Sequence, residues 1–160
     1  MAHALNATEV QMEQALRSTK VKMASWLRTR SIRGLSDSLK VQHKILRRRL
    51  RTYRLRDQMK LWYGLDPIPF IWLQPKATAS GVRGAGGRHI KGAFIATVRG
   101  KRQVFKRVGT ARYPVAVQKA DMYAPSITYI QKNLMDTPTF AARFFALFEH
   151  ELKWRTQTPI

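Results

Sequence analysis

Side chains that could perform acid–base or metal chemistry are few and scattered in this chain of 160 residues. The four histidines fall in different predicted elements and share no metal-ligand spacing: His3, His43, His89 and His150. His150 and Glu151 begin like a zinc protease motif, but the second histidine that the motif requires does not follow. Cysteine is absent, which excludes a disulfide framework, a thiolate nucleophile and a cysteine zinc site.

The carboxylates and glycines add little catalytic potential. Most of the nine acidic residues suit a helix cap or a turn, although a catalytic pair formed by Asp57 and Asp121 stays open. Arg88 and His89 with a tyrosine would suggest a recombinase, but these residue types occur throughout the chain. The glycine-rich run 81–87 lacks the Gly-Lys-Ser/Thr ending of a phosphate cradle and favours a flexible loop. The residues therefore show no complete catalytic, cofactor-binding or metal-binding motif.

Basic residues dominate the remaining chemistry. Thirty lysines and arginines against nine acidic residues give a net charge of +21. A small soluble domain usually carries a charge of roughly 2 to 8. Residues 17–60 hold fifteen basic and two acidic residues, and residues 76–119 hold eleven basic residues and no acid. Because a solvated face normally mixes both signs, these two regions favour contact with a polyanion.

Two groups of cations are the candidate nucleic-acid contacts. The first group lies on one face of a predicted helix: Lys40, Lys44, Arg47, Arg51 and Arg54. The second group surrounds the tip of a predicted hairpin: Arg99, Lys101 and Arg102. We expect the helix to contribute more, because a rigid face loses less entropy on binding than a turn. No helix-turn-helix, zinc-finger or RNP signature is present, so the expected contact is with phosphates and is blind to base sequence.

Three aromatic residues near the first group have two interpretations. Trp62, Tyr63 and Trp72 could stack on nucleic-acid bases. Their spacing along predicted strands instead favours a core or a subunit interface, which is the interpretation adopted here.

Two N-terminal helices are expected to position the first group of cations. Thr8 and Gln11 form a capping-box pattern at the start of a first helix over 8–30. Gly34 interrupts the helical pattern, and a second, basic helix is expected over 36–56.

A sheet region is expected over 58–120. Short aromatic and β-branched runs predict strands at 59–63 and 68–73, and the glycine-rich segment 76–88 predicts a flexible loop. Residues 92–108 predict an antiparallel hairpin that turns at Gly100 and Lys101, with glycine at the first position of a type II′ turn. A further extended piece is expected over 113–120.

Helices are expected again over 125–155. Asp136 or Thr137 suits a cap before Pro138, and the last helix carries an apolar stripe: Phe140, Phe144, Leu147, Phe148 and Leu152. The order of elements predicts one α+β domain over 1–160. Its antiparallel sheet would have about four to five strands, with the two N-terminal helices and the C-terminal helices packed on one side.

The chain is expected to be made in the cytoplasm and to have no membrane partner. Its longest apolar run, 68–73, falls far short of the roughly 18 residues that cross a bilayer. The first residues show neither a basic leader nor an apolar stretch suited to export.

Residues 87–129 resemble the minor tail protein Z family, the tail completion proteins of long-tailed bacteriophages. The most distinctive pieces are Gly92-Ala-Phe-Ile95, the strand 104–109 with its closing glycine, and Arg112-Tyr113-Pro114-Val115. Lys119 and a helix start near Pro125 follow, and the basic run 40–51 is similar to the second helix of that family. The resemblance covers roughly residues 10–150, and the chain is shorter than the family pattern around its glycine-rich segment.

The resemblance implies a structural virion protein at the head-proximal end of the tail, which is not an enzyme and needs no cofactor or metal. Such a protein would form a ring of about six identical copies, contact neighbouring tail and neck proteins, and surround the passage of the double-stranded genome. A free, sequence-nonspecific nucleic-acid-binding protein is the alternative, since a net charge of +21 suits it equally well. Size in solution separates the two, because the alternative predicts a soluble monomer.

Overall fold

Four α-helices and ten short strands make up the part of the chain that the computed structural model describes, residues 7–56, 58–135 and 137–157. The helices are α1 (Glu9–Leu39), α2 (His43–Arg49), α3 (Tyr123–Asn133) and α4 (Pro138–Gln157). The strands all lie between α2 and α3: β1 (Leu50–Arg54), β2 (Met59–Tyr63), β3 (Ile68–Pro69), β4 (Lys76–Thr78), β5 (Gly81–Arg83), β6 (His89–Lys91), β7 (Ala93–Val98), β8 (Lys101–Arg107), β9 (Val115–Val117) and β10 (Lys119–Ala120). The predicted mixture of helices and antiparallel strands is confirmed.

The described strands form four small antiparallel sheets, and the single sheet of four to five strands that the sequence predicts is wrong. β1 pairs with β2, β3 pairs with β10, and the other two sheets are β4–β5–β6 and β7–β8–β9. The strand predicted at 68–73 is only two residues long, because a 3-10 helix begins at Phe70. The loop predicted at 76–88 contains β4, β5 and a 3-10 turn at 85–87.

Helix α1 has the predicted start and a later end than predicted. The backbone N–H of Gln11 donates to Thr8 Oγ1 at 3.3 Å, and the backbone N–H of Thr8 donates to Gln11 Oε1 at 2.9 Å, which completes the capping box. The helix continues through Gly34 and ends before Lys40, whose φ of 53° is left-handed. The predicted boundary at residue 30 is therefore wrong by more than two turns.

Gly34 serves a close contact with α3 and does not break the helix. A Cβ placed on Gly34 would lie only 1.7 Å from the hydroxyl oxygen of Tyr129. Leu35 and Leu39 are fully buried beyond the glycine. Their burial stabilises the helix by more than the roughly 1 kcal/mol that a glycine costs in a helix interior.

The basic helix predicted over 36–56 is wrong in extent. Its first residues belong to α1, α2 has only seven residues, and Leu50–Arg54 is strand β1. β1 pairs with β2 in register, from Leu50 opposite Tyr63 to Arg54 opposite Met59. The spacing of Leu46 and Leu50 is compatible both with a continuous helix and with a helix followed by a strand. Pairing with β2 stabilises the second arrangement.

The predicted hairpin at 92–108 is confirmed, with a turn one residue earlier than expected. β7 and β8 pair from Ala93 opposite Lys106 to Val98 opposite Lys101. The turn residues are Arg99 and Gly100, whose φ angles of 49° and 73° are both positive. Two positive φ angles are the mark of a type I′ turn, which matches strand twist better than ordinary turns do. The type II′ assignment is therefore corrected.

The C-terminal helices are confirmed. Pro138 is the first residue of α4, and Thr137 Oγ1 accepts the backbone N–H of Phe140 at 3.3 Å. Asp136, the other predicted cap, lies outside the described residues. The predicted apolar stripe is partly buried, and Leu152 is 3% exposed on the helix that packs against α1.

A buried carboxylate ties α4 to α1. Glu151 is 6% exposed and pairs with Lys22 of α1 and with Arg155 one turn further along α4. Arg155 also donates to Ser18 Oγ at 2.8 Å. The hydrogen bond from Lys22 is the main reason that the pKa of Glu151 is lowered. This carboxylate, which the sequence analysis names only in the incomplete zinc protease motif with His150, therefore has a structural role.

The buried core joins the end of α1 to the small sheets. Leu35 and Leu39 pack in one cluster with side chains from α2, β1, β3, β5, β7 and β8: Leu46, Leu50, Ile68, Val82, Ala93 and Val104. The basic segment 43–54 is thus held by its leucines while its charged side chains stay outside. No helix within the described residues is long and apolar enough to cross a membrane.

The contact between Gly34 and Tyr129 predicts that Gly34→Ala changes the free energy of unfolding in opposite directions with and without the tyrosine ring. In the native protein we expect Gly34→Ala to destabilise the fold by about 1–3 kcal/mol, because the added methyl overlaps the tyrosine ring. In a Tyr129→Ala background the same change should stabilise the protein by up to about 1 kcal/mol, since alanine is the better helix former. Urea unfolding of the four proteins measures both values. A destabilisation that is equal in the two backgrounds would show that the ring does not select the glycine.

Candidate nucleic-acid interface

An open depression between α1, α2 and β1 collects the arginines of the first basic region. We call it the arginine depression. It is lined only by basic, hydroxyl-bearing and apolar residues, with no carboxylate: Ser25, Arg28, Thr29, Arg47, Arg48, Leu50, Arg51, Thr52 and Tyr53. Arg47, Arg48 and Arg51 are exposed at its surface. Guanidinium groups beside hydroxyls can bind phosphate oxygens, because each guanidinium offers several donors in a fixed fork.

Arg28 of α1 holds the segment that carries these arginines. Its Nε donates to the carbonyl of Leu50 at 3.0 Å, and its Nη2 donates to the carbonyl of Arg47 at 3.1 Å. The Arg47 carbonyl is in the last turn of α2, where helix carbonyls have no partner within the helix. Arg28 therefore fixes the junction of α2 and β1 and keeps a cation at the bottom of the depression.

Arg49 is directed away from this depression. Its Nη1 donates to the carbonyls of Gly64 at 3.1 Å and Asp66 at 2.8 Å, and its own carbonyl accepts the N–H of Gly64 at 2.8 Å. These bonds tie the end of α2 to the segment after β2. Of the three consecutive arginines of α2, the first two, Arg47 and Arg48, are exposed to a ligand, and the last, Arg49, has a structural role.

The single helical face predicted for the first group of cations is wrong. Arg47 and Arg51 share the arginine depression, although Arg51 lies on a strand. Lys40 caps α1 and its side chain approaches Gly86. Lys44 lines a different depression with Trp72, and Arg54 lines a third one between α1 and the β1–β2 hairpin. The cause is the short α2, since five cations at helical spacing share a face only if the helix continues.

The second group of cations lies in another sheet. Arg99 is a turn residue, whereas Lys101 and Arg102 belong to β8 and pair with Val98 and Thr97. All three basic side chains are exposed. Their sheet is β7–β8–β9, and the sheet next to the arginine depression is β1–β2, so hydrogen-bonded strands do not join the two basic groups.

Sequence reasoning missed Arg28 and Arg48. Arg48 follows Arg47 directly, and a full-length helix would have turned it away from Arg51. Arg28 lies in the middle of α1 with no local pattern to distinguish it from neighbouring cations. Its role depends on α2 folding back against α1, which no short-range signal predicts.

The aromatic residues differ in their surroundings. The hydroxyl of Tyr63 is 2.7 Å from Ser31 Oγ, and burial raises the pKa of this phenol. The core interpretation therefore suits Tyr63. Trp62 and Trp72 are 42% and 43% exposed, so they are not core residues of the isolated chain. Their expected place in a subunit interface stays a prediction.

Candidate catalytic and metal groups do not come together in the described residues. No group of three or more histidine and carboxylate side chains there could hold a metal ion. Asp121 accepts the backbone N–H of Tyr123 at 3.0 Å, as expected of a residue at a helix start. Its proposed catalytic partner, Asp57, lies outside the described residues, as does His3.

Comparison of the chain with protein-family models, with curated proteins and with solved structures finds no match.

The role assigned to Arg28 has a direct test. Arg28→Met keeps the length of the side chain and removes both hydrogen bonds, so we expect it to lower the free energy of unfolding by about 1–3 kcal/mol. Arg33→Met removes an exposed cation from the same helix and should change stability by less than about 0.5 kcal/mol. Urea denaturation measures both. Equal effects of the two changes would mean that Arg28 does not anchor the junction.

Proposed function

We propose that the protein is a non-enzymatic structural component of a tailed bacteriophage virion. In this function it completes the head-proximal end of the tail, helps to join the tail to the head, and surrounds the genome as it passes. It is made in the host cytoplasm and acts as a ring of about six copies among neighbouring tail and neck proteins. The resemblance of residues 87–129 to the minor tail protein Z family is the starting point of the proposal.

The arginine depression is the observation that carries the DNA-related part of the proposal. It presents three exposed arginines and no carboxylate, and Arg28 holds its base in place. Residues 40–56 contain eight lysines and arginines and no acidic residue. A surface of one sign at this density repels copies of itself unless a polyanion neutralises it. Duplex DNA in the centre of a ring would supply that neutralisation along its phosphate backbone.

Exposed apolar side chains support the assembly part of the proposal. Large ones occur on several elements: Phe94, Tyr113, Val117, Phe145 and Trp154. Single exposed apolar residues are normal on a monomer, so they carry less weight than the charge. Subunit contacts in a ring would cover such side chains and leave the arginines facing the lumen.

A free, sequence-nonspecific nucleic-acid-binding protein is the second candidate. The arginine depression suits this function equally well, because phosphate contacts need no particular assembly. The candidates differ in what forms on DNA, which is a closed ring in the first case and separate monomers in the second.

Salt dependence of duplex binding tests which cations contact DNA. Each phosphate contact contributes about −0.9 to the slope of log affinity against log salt concentration. We expect the triple change Arg47→Gln, Arg48→Gln and Arg51→Gln to flatten that slope by about two to three units. The matched triple change Arg99→Gln, Lys101→Gln and Arg102→Gln should flatten it by less, because its cations surround an exposed turn.

Two results would revise the proposal. A flattened slope confined to the hairpin variant would move the DNA contact to β7 and β8. An unchanged slope in both variants would remove DNA from the proposal and leave acidic neighbouring proteins as the reason for the charge. Circular dichroism of each variant confirms that the fold is retained before affinities are compared.

A further inference from the structure

The two-stranded β1–β2 ribbon presents an alternation of cations and aromatic rings on one face. Register places Arg51 opposite Trp62 and Tyr53 opposite Lys60. Because side chains alternate along a strand, these four residues share one face, which we call the ribbon face. All four are exposed, and the exposed fractions of Trp62 and Tyr53 are 42% and 43%.

The opposite face of the ribbon packs on the rest of the protein. Leu50 is fully buried in the core, and its cross-strand partner Tyr63 is half-buried with its hydroxyl beside Ser31 of α1. Leu61, opposite Thr52, is also partly buried. The ribbon is therefore fixed on α1 by one face, and the ribbon face is left as the outer surface.

The ring of Trp62 lies against the backbone of Gly64, which limits its movement on that side. Its six-membered ring lies beside Gly64, where an added Cβ would come within 2.7 Å of the ring. Gly64 is itself buried and bonded through its N–H to the carbonyl of Arg49. A positioned ring loses less conformational freedom on binding than a mobile one, which favours stacking against a flat ligand.

The ribbon face continues into the arginine depression. Arg51 and Tyr53 belong to both, and Arg47 and Arg48 lie on the depression side. Neither β1 nor β2 contains an acidic residue. Aromatic rings that alternate with cations beside the arginine depression suit a nucleic-acid strand with unpaired bases. Its bases can stack on the rings while its phosphates contact the cations.

We propose that the ribbon face binds single-stranded nucleic acid. Bases stack on Trp62 and Tyr53, and the phosphates between them contact Arg51, Lys60 and the arginine depression. This goes beyond the proposed function and does not depend on ring assembly or on duplex binding, since a duplex keeps its base faces stacked and out of reach. Two ribbon faces would repel each other in a symmetric contact, because like charges would meet at Arg51 and Lys60. For Trp62 this proposal replaces the subunit-interface interpretation that the sequence favoured.

The test compares two tryptophans of equal exposure. Binding of an oligothymidylate of about 15 nucleotides, which spans the usual range of site sizes, is measured by fluorescence anisotropy. Trp62→Ala should lower the affinity by about 5-fold to 150-fold. The slope against salt should stay unchanged, because no charge is removed. Trp72→Ala removes a ring of the same type and 43% exposure outside the ribbon, in the depression that Lys44 and Arg48 line, and should lower the affinity by clearly less than Trp62→Ala.

Further variants keep the test decisive. Trp62→Phe should restore part of the affinity, because a smaller ring still stacks. Tyr53→Ala replaces Trp62→Ala if the latter fails to fold, and it should weaken oligothymidylate binding more than duplex binding. Equal losses for Trp62→Ala and Trp72→Ala, or an equal loss of duplex and single-strand affinity, would overturn the inference. Such results do not change the outcome of the salt-slope test of duplex contact. Single-strand binding by the ribbon face can therefore be refuted while duplex binding by the arginine depression is retained.

Discussion

The shortage of carboxylates is the constraint on which the arrangement of this protein depends. Thirty basic side chains have only nine acidic side chains to pair with, so most of the basic ones need other hydrogen-bond acceptors. Arg49 donates to the carbonyls of Gly64 and Asp66 in the segment after β2. Arg28 and Arg88 donate to carbonyls in the last turns of α2 and α1, those of Arg47 and Leu39. Carbonyls at helix ends have no partner within the helix, so these bonds satisfy the helix and the cation together. Arg47, Arg48 and Arg51 are instead exposed in the arginine depression.

The same constraint explains why Glu151, the buried carboxylate among the described residues, matters. Glu151 receives hydrogen bonds from Lys22 and Arg155, which lower its pKa and join α1 to α4. A lowered pKa in the folded state means that this contribution is present above the unfolded pKa and is lost as the pH falls through the folded value. Within the described residues, the fold therefore uses the buried Glu151 between α1 and α4, and backbone carbonyls near the arginine depression.

Local signals predicted those elements that local interactions determine. Thr8 with Gln11, Pro138 and the hairpin around Gly100 have short-range causes, and the structure agrees with each within one residue. Gly34 and the segment 50–54 were predicted wrongly because distant partners decide them. The Tyr129 ring requires the glycine, and pairing with β2 converts the end of the basic helix into a strand. Arg28 was not predicted from the sequence for the same reason, because its hydrogen bonds depend on α2 folding back against α1.

The main proposal is that Arg47, Arg48 and Arg51 face DNA inside a closed assembly of identical subunits. Electron microscopy of the purified protein, alone and with a long duplex, tests it most directly. The account predicts closed rings of about six copies with the duplex passing through the centre. Residues 43–54 of each copy should line the lumen. Monomers distributed along the outside of the duplex, or rings whose lumen is lined by other elements, would contradict the claim.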